Sequence, residues 1–193
     1  MSERARSVVL ASGSPRRATL LEKAGYRIRV EPAHVSEHWP GDDRPESTVI
    51  GLATRKAEAV HRRFPDATVL GADTEVFLAG HRVGKPASRE EAARMLGELS
   101  DREHEVWTGV ALVVDGRRYT AADSALVRFR PLTEREIGTY LQHADYLDKA
   151  GAYGIQEEGR DLVVAYSGRL DTIIGLSMNI VETLWSRWEA QTA

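Results

Sequence analysis

The sequence contains no cysteine, so disulfide bonds, thiolate zinc sites and a cysteine nucleophile are all excluded. It also has little net charge: 26 lysines and arginines stand against 29 aspartates and glutamates, which gives a formal net charge of −3. No overall basic field would recruit nucleic acid, so we expect no nucleic-acid partner. An RNA-binding module is therefore a poor interpretation of this chain, although a local cationic site remains compatible with the composition.

Long apolar runs are absent as well. No stretch approaches the roughly 20 residues that a helix needs to span a bilayer, and the first residues, MSERARS, lack the apolar core of a signal peptide. We therefore expect a cytoplasmic protein without a membrane partner. The length of 193 residues fits one domain that can bury a sizeable core.

The most informative stretch is a strand and a helix near the beginning of the chain. The apolar run Val8–Leu10 predicts a short buried strand. The small residues 11–13 then allow backbone to approach a ligand closely. Ser14 is a typical N-cap with Pro15 at the first helical position, and Gly25 is a typical residue to end the helix.

Two cations occupy the first turn of this predicted helix. Arg16 and Arg17 stand where the helix macrodipole favours anions. With the unpaired N–H groups of the helix N-terminus, two guanidinium groups would form a pocket for a phosphate chain. The alternative is that both arginines extend into solvent. The small-residue turn before the helix favours the anion site.

A second cation interrupts the apolar face of the next predicted helix, Glu46–Phe64. Lys56 lies in the middle of that face, so its ammonium must either extend into solvent or meet an anion. Extension into solvent is the default expectation, and Lys56→Ala should then leave thermal stability unchanged or raise it. The preceding segment, Glu31–Pro45, is predicted to be a loop and carries Glu37.

A second buried strand is predicted at Thr68–Ala72 and would deliver Asp73 and Thr74 at its C-terminal end, where ligands tend to bind in such sheets. A hairpin is predicted over Val76–Val83. Lys85 follows it in a Gly-Lys-Pro sequence. Its interpretation stays open between a surface lysine beside a turn and a phosphate ligand.

The rest of the chain alternates between helical and extended patterns. Capping boxes predict helices after Ser88 and Thr133, and Asp115-Gly116 predicts a hairpin turn between two strands. The segment Asp145–Gln156 breaks the pattern with glycines and aromatic residues. A closing helix is predicted over Ser177–Trp188, with its apolar face in the core or at a dimer surface.

Four of these pieces, in this order and at these intervals, resemble the Maf family of nucleoside triphosphate pyrophosphatases. The resemblance runs from about Val8 to Leu184, and the first and last pieces are the distinctive ones. The pieces are Ser12-Gly-Ser-Pro-Arg-Arg17, Gly71-Ala-Asp-Thr74, Gly84-Lys-Pro86 and Asp148-Lys-Ala-Gly-Ala-Tyr-Gly-Ile-Gln156.

The resemblance implies a fold and a reaction. The fold would be α/β and related to that of inosine triphosphatase, with a single domain over 1–193. It would have two lobes, a long bent mixed β-sheet flanked by helices, and an active-site cleft between the lobes. The reaction would be hydrolysis of a nucleoside triphosphate between the α and β phosphorus atoms, giving a monophosphate and pyrophosphate with a divalent metal, Mg²⁺ or Mn²⁺.

The resemblance also implies site residues. Asp73 matches the family's proton acceptor and Glu37 its second acidic residue, and either could also hold the metal. The residues that match its phosphate-binding positions are Ser12, Arg17, Lys56 and Lys85, of which we assign Lys85 a catalytic part as well. The residues that match the branch acting on dTTP and UTP, modified uridine triphosphates included, are Arg16, Thr74 and Gln156. Lys149 would add a further positive charge against the substrate.

The chain departs from the family pattern at several positions. Glu75 stands where relatives usually carry an apolar residue, and Ser36-Glu37 replaces an Asp-Glu pair. Thr54-Arg55-Lys56 replaces a more usual Arg-Glu-Lys, and the stretch 167–179 lacks the proline that typically follows Gly-Leu. These differences bear on specificity and metal geometry more than on the class of reaction.

The sequence leaves two alternatives open. One is a non-catalytic nucleotide-binding regulator linked to cell division, and the other is the branch of the same family that acts on 7-methyl-GTP, which carries a bulky residue at the position of Arg16. A carboxylate such as Asp73 among phosphate-binding cations favours an enzyme over a sensor. A homodimer is left open.

Overall fold

The protein is described by a computed structural model that covers residues 6–39, 44–156 and 158–192. The strands are β1 Ser7–Leu10, β2 Arg27–Val30, β3 Val69–Leu78, β4 His81–Arg82, β5 Glu103–Val114, β6 Arg117–Phe129 and β7 Val163–Ser167. The helices are α1 Pro15–Lys23, α2 Pro45–His61, α3 Arg89–Leu99, α4 Glu134–His143, α5 Leu170–Ile174 and α6 Met178–Thr192, with short 3₁₀ turns at Ala150–Ala152 and Glu158–Leu162.

The strands form one mixed seven-stranded sheet with the order β2-β1-β3-β5-β6-β7, and β4 also pairs with β3. The expected α/β class with a mixed sheet and flanking helices is confirmed.

The chain divides into two compact units. The first consists of Met1–Asp73, Thr108–Asp123 and Gly175–Ala193, and the second of Thr74–Trp107 and Ser124–Ile174. The assignment of 1–193 to a single domain with a cleft between two lobes stays a prediction. No helix in the described parts of the chain has the length and apolar character that a membrane span requires.

The first unit is built on three parallel strands, with β1 between β2 and β3. Alternate residues of β1 point to opposite faces, and both faces are covered. Leu10 packs with Leu21 of α1 and Leu184 of α6, whereas Val9 packs with Ala53 of α2. Burial on both faces explains why this strand appears in the sequence as a continuous apolar run.

Helix α1 begins and ends where the sequence predicts. Gly25 has a φ of 84°, which glycine adopts without steric cost. The backbone N–H of Gly25 donates to the Glu22 carbonyl and that of Tyr26 to the Leu21 carbonyl, the two bonds of a Schellman motif. At the other end Ser14 holds the N-cap position, but its hydroxyl makes no capping bond.

The prediction that a strand ends at Ala72 is wrong. Strand β3 continues without a break through Asp73 to Leu78. The polar residues that suggest an end remain in the strand because ion pairs compensate for their burial: Asp73 pairs with Lys56, and Glu75 pairs with Arg82. The strand then turns at Ala79-Gly80, whose φ angles are 51° and 82°, so the predicted hairpin turn is confirmed.

The second unit buries its core between helices α3 and α4 and the strands beside them. The predicted inward residues of α4, Ile137, Tyr140 and Leu141, are all buried. Thr133 and Glu136 form both bonds of the predicted capping box. The capping box predicted at Ser88 forms only in part: Ser88 Oγ accepts from the Glu91 N–H, but the Glu91 carboxylate accepts from the Ala87 N–H. The sequence does not predict the short helix α5.

Candidate functional site

A lysine and two carboxylates meet in the first unit. Lys56 Nζ donates to Asp73 Oδ1 over 2.6 Å and to Glu37 Oε1 over 2.7 Å. Lys56 is 8% exposed and Asp73 is 3% exposed. The default expectation that the Lys56 ammonium extends into solvent is therefore wrong, because two anions lie within reach of it below the surface.

A glycine in β3 allows this contact. A Cβ atom at Gly71 would lie 2.3 Å from the Ala53 carbonyl oxygen and 2.8 Å from the Ala57 nitrogen. These distances are too short for any side chain, so α2 lies directly against the β3 backbone at this point. Lys56 is on the same turn of α2, and this close approach brings its ammonium to Asp73, two residues beyond Gly71.

The second carboxylate oxygen of Asp73 has unused hydrogen-bonding capacity. Asp73 Oδ2 is buried and finds no hydrogen-bond partner among the residues that the structure describes. Leaving such an atom unpaired costs about 1–3 kcal/mol, and an orphaned acceptor in a native fold calls for an explanation. One explanation is that Oδ2 is kept for a water molecule, a proton, or a cation that binds together with a ligand.

The two carboxylates also fit the chemistry of a divalent cation. Mg²⁺ binds oxygen ligands and usually takes one or two protein carboxylates, with substrate phosphates and waters completing its shell. Glu37 and Asp73 supply that number. In the described ranges no group of three or more His, Cys, Asp or Glu side chains could hold a metal. A cation at Glu37 and Asp73 would therefore need ligands from the substrate or from water as well.

The turn between β1 and α1 is the second part of the site. Arg17 Nη1 donates to Ser12 Oγ over 2.9 Å, and Arg17 Nε donates to the Gly175 carbonyl over 2.8 Å. Ser12 Oγ also accepts from the backbone N–H of Ser14. Arg17 is thus fixed at the N-terminus of α1, and the alternative in which it merely extends into solvent is wrong for this residue. Arg16 is half-buried beside it.

The strand register brings these parts to one edge of the first unit. Leu10 lies opposite Leu70, and the Ala11 N–H donates to the Leu70 carbonyl, so the turn after β1 runs beside residues 71–73. The backbone N–H of Glu31, which follows β2, donates to the Leu10 carbonyl. The segments that carry Ser12, Glu37 and Asp73 therefore belong to three neighbouring parallel strands, at the edge where α/β sheets usually bind ligands.

The other predicted residues lie in the second unit. Thr74 is half-buried, and Lys85 and Gln156 are exposed. Lys149 is 4% exposed, and its ammonium donates to the Asp145 carbonyl and the Asp148 carboxylate. These bonds give Lys149 a structural part within its own segment, and substrate contact by it stays a prediction.

Two of the four motif pieces meet in this unit. The Gly151 N–H donates to the Gly84 carbonyl over 2.7 Å, and the φ angles of the two glycines are 70° and 71°. This bond ties the Gly-Lys-Pro sequence to the Asp148–Gln156 segment. Both glycines need the left-handed backbone region, which explains their place in the motifs.

A buried aromatic cluster supports the same segment and escapes sequence reasoning. Tyr153 Oη lies 2.8 Å from His104 Nε2, and both rings pack edge-on against Phe129. Burial lowers the pKa of His104 to about 4 and raises the pKa of Tyr153 well above its usual value. Nothing local marks His104, since its partner lies 49 positions away along the chain.

The fold and the site define an α/β protein whose cations and carboxylates gather where the parallel pairing of β1 with β3 ends, an arrangement suited to phosphate groups. The sequence matches the family model described as Maf-like protein over residues 7–188. The chain belongs to the Maf family, and the resemblance drawn from the motifs is confirmed.

Curated relatives named dTTP/UTP pyrophosphatase match over most of the chain. The relative from Desulfitobacterium hafniense is 49% identical over 95% of this chain and 86% of its own length. The relative from Symbiobacterium thermophilum is 45% identical over 89% of each chain, and that from Halalkalibacterium halodurans is 43% identical over 89% of this chain and 90% of its own.

Among solved structures, the Staphylococcus aureus Ham1 protein aligns with 64% of this chain and 72% of its own, with 14% identity and a TM-score of 0.47. A likeness at this level carries no argument about function.

Proposed function

We propose that this protein hydrolyses dTTP and UTP, and modified uridine triphosphates, to the monophosphate and pyrophosphate. The observation that carries the proposal is the buried Asp73 carboxylate, which binds Lys56 through Oδ1 and keeps Oδ2 available at the edge where the β1–α1 turn lies. The names of the curated relatives support the choice of substrate.

The chemistry begins with water. A water molecule bonded to Asp73 Oδ2 is oriented for attack on phosphorus and transfers its proton to that oxygen. The new P–O bond forms as the bridging bond between the α and β phosphoryl groups breaks, and pyrophosphate leaves. The Lys56 ammonium bonded to Oδ1 stabilises the ionised carboxylate that this role requires.

Glu37 and Asp73 are the residues that would hold Mg²⁺ or Mn²⁺, and when bound the cation neutralises phosphate charge and polarises the P–O bonds. Glu37 is held at Lys56, so the two carboxylates share one cationic neighbour before any ligand arrives. That arrangement keeps their mutual repulsion low.

The phosphate chain is bound by positive charge and N–H groups. Arg17, fixed by Ser12 and Gly175, directs its guanidinium along the N-terminus of α1, where backbone N–H groups favour anions. We propose that Arg16 and Lys85 add to this binding. Phosphoryl transfer needs little covalent help from the protein, so positioning and charge neutralisation supply most of the rate enhancement.

We propose that Gln156 and Thr74 recognise the base. Uracil and thymine present an N3–H donor between two carbonyl acceptors, and a glutamine side chain offers both a carbonyl and an amide to that edge. A wrong base leaves such groups unpaired, which discriminates strongly. The preference should therefore be for dTTP and UTP over CTP, purine nucleotides and 7-methyl-GTP.

The test is a panel of nucleoside triphosphates incubated with Mg²⁺ or Mn²⁺, with pyrophosphate release as the readout. Asp73→Asn is the matched inactive control, because it keeps the shape of the side chain and removes the proton acceptor. Faster hydrolysis of ATP or 7-methyl-GTP than of dTTP and UTP would contradict the substrate assignment. Tight nucleotide binding without any pyrophosphate release would favour the non-catalytic regulator.

A further inference from the structure

Glu37 lies in a segment that has neither helix nor strand. Residues 31–39 follow β2 in an irregular conformation, and the Glu37 side chain is 38% exposed. Its carboxylate nevertheless meets Lys56 Nζ over 2.7 Å. An ion pair with a half-exposed carboxylate is too weak to order a loop, because solvent screens it. Other groups must hold the segment in place.

Arg55 binds the backbone on both sides of Glu37. Its Nη1 donates to the Ser36 carbonyl over 2.8 Å and to the His38 carbonyl over 2.7 Å. Two bonds from one cationic nitrogen to the carbonyls that flank Glu37 fix the direction in which that side chain leaves the backbone. Charge-assisted bonds of this kind are stronger than neutral ones.

Trp39 provides the second attachment. A Cβ atom at Gly51 would lie 1.9 Å from Cη2 of the Trp39 indole, so the ring occupies the space above a residue without a side chain. The Arg55 guanidinium lies 5.7 Å from the centre of the same ring, within range of a cation–π contact. Trp39, Gly51 and Arg55 together form what we call the Glu37 clamp.

The two helical residues of the clamp, Gly51 and Arg55, are on the same helix as Lys56, the partner of Glu37. Gly51 and Arg55 are four residues apart on α2 and hence on the same face, and Lys56 follows directly. Helix α2 therefore sets both where the Glu37 backbone lies and where its carboxylate binds. The family pattern usually has glutamate at the position of Arg55, and a glutamate cannot donate to two carbonyls.

We propose that Arg55 is a positioning residue for Glu37, acting through the Glu37 clamp and without contact to the substrate. The catalytic consequence rests on the proposed function, whereas the ordering of the loop does not. Lysine is a poor replacement because it lacks the planar guanidinium that lies over the Trp39 ring. Small misplacements in an active site cost up to about 100-fold in rate, and we expect Arg55→Ala to lower kcat by about 10-fold or more.

Arg63 is a matched control. It is also an arginine that binds the same segment, with Nη2 on the Glu31 carboxylate over 2.7 Å and Nη1 on the Pro32 carbonyl over 3.3 Å. These contacts lie upstream of Glu37. Arg63→Ala therefore removes a guanidinium that binds the same segment and leaves the Glu37 clamp intact.

The first experiment measures loop order and needs no nucleotide. Amide hydrogen exchange over residues 36–39 should accelerate in Arg55→Ala and stay as in the unmodified protein in Arg63→Ala. Gly51→Ala should give the same acceleration by displacing Trp39. Alanine has a higher helix propensity than glycine in a helix interior, which offsets the lost packing, so Gly51→Ala separates loop order from global stability. Unchanged exchange in Arg55→Ala would overturn the proposal, whatever the enzyme hydrolyses.

The second experiment is a double-mutant cycle on kcat and KM. If Arg55 acts through Glu37, then Arg55→Ala lowers kcat in the unmodified protein and has little further effect in Glu37→Gln. Arg55→Lys should restore only part of the loss. Independent, multiplying losses would overturn the positioning role. If the unmodified protein releases no pyrophosphate, the proposed function fails, and hydrogen exchange alone decides on the clamp.

Discussion

Replacing Lys56 with methionine tests the central contact of the site. The change keeps the length of the side chain and removes the ammonium that Asp73 Oδ1 and Glu37 Oε1 share. From the sequence, removing a cation from an apolar face should not harm stability. The structure reverses that expectation, because Lys56→Met would leave the buried Asp73 carboxylate without its partner.

The size of the effect follows from burial. The side chains of Lys56 and Asp73 are 10% and 5% exposed, and breaking a buried pair by removing one partner costs about 3–5 kcal/mol. The Glu37 side chain is 38% exposed, so solvent screens its share, and we add at most a few tenths of a kcal/mol for it. For a chain of this length the loss should lower Tm by roughly 10 °C.

The assay is urea unfolding of four proteins: the unmodified chain, Lys56→Met, Asp73→Asn and the double variant. The double variant removes both charges, so it should recover most of the stability lost in Lys56→Met. If Lys56→Met is as stable as the unmodified chain, the buried pair does not exist in solution. If the double variant is no more stable than Lys56→Met, the loss comes from packing rather than from an unpaired charge.

Three further predictions concern catalysis, specificity and pH. Asp73→Asn should lower kcat at least about 100-fold, because a general base is lost, while circular dichroism shows an unchanged fold; near-normal turnover would remove Asp73 from this role. Gln156→Glu should reduce the preference for dTTP and UTP over CTP about 10-fold or more, measured as a ratio of kcat/KM values; an unchanged ratio would show that Gln156 does not recognise the base. Burial lowers the pKa of His104 from 6.5 to about 4, so the unfolded chain takes up a proton first as pH falls. The free energy of unfolding is therefore unaffected by His104 above about pH 6.5 and decreases by about 3 kcal/mol as the pH falls towards 4. In urea titrations His104→Gln should abolish this slope, and an equal slope in that variant would assign it to other groups.

Local signals in the sequence predict most of the fold. The Gly25 helix end, the Asp115-Gly116 turn and the Thr133 cap each depend on residues within a few positions, and all three occur as predicted. Such features follow from backbone geometry and short-range hydrogen bonds, which do not require knowledge of distant parts of the chain.

The errors arise where a distant partner changes the outcome. Asp73 and Glu75 interrupt an apolar run and suggest that a strand ends, but Lys56 and Arg82 pair with them and the strand continues. The Lys56 ammonium was expected in solvent for the same reason. A charged residue on an apolar pattern shows that a partner is needed and does not identify it.

The residues of the candidate site likewise fall into those that the sequence predicts and those that it does not. The resemblance to the family implies Ser12, Arg17, Glu37, Lys56 and Asp73 as site residues. The strand register explains why the segments that carry Ser12, Glu37 and Asp73 share one edge of the first unit. Arg55 appears in the sequence only as a departure from the family pattern. Its part in holding a loop depends on two backbone carbonyls, which no pattern of side chains reveals.

If Glu37 and Asp73 hold a divalent cation as proposed, the lysine between them has a consequence for cells that run short of metal. In many small metalloproteins the binding of the ion supplies the free energy of folding, so chelation unfolds them. Here an ammonium of the chain itself already neutralises the repulsion between the two carboxylates without an ion. We expect a chelator to stop catalysis and leave the Tm unchanged, so that activity would return as soon as the ion is restored, without synthesis of new protein.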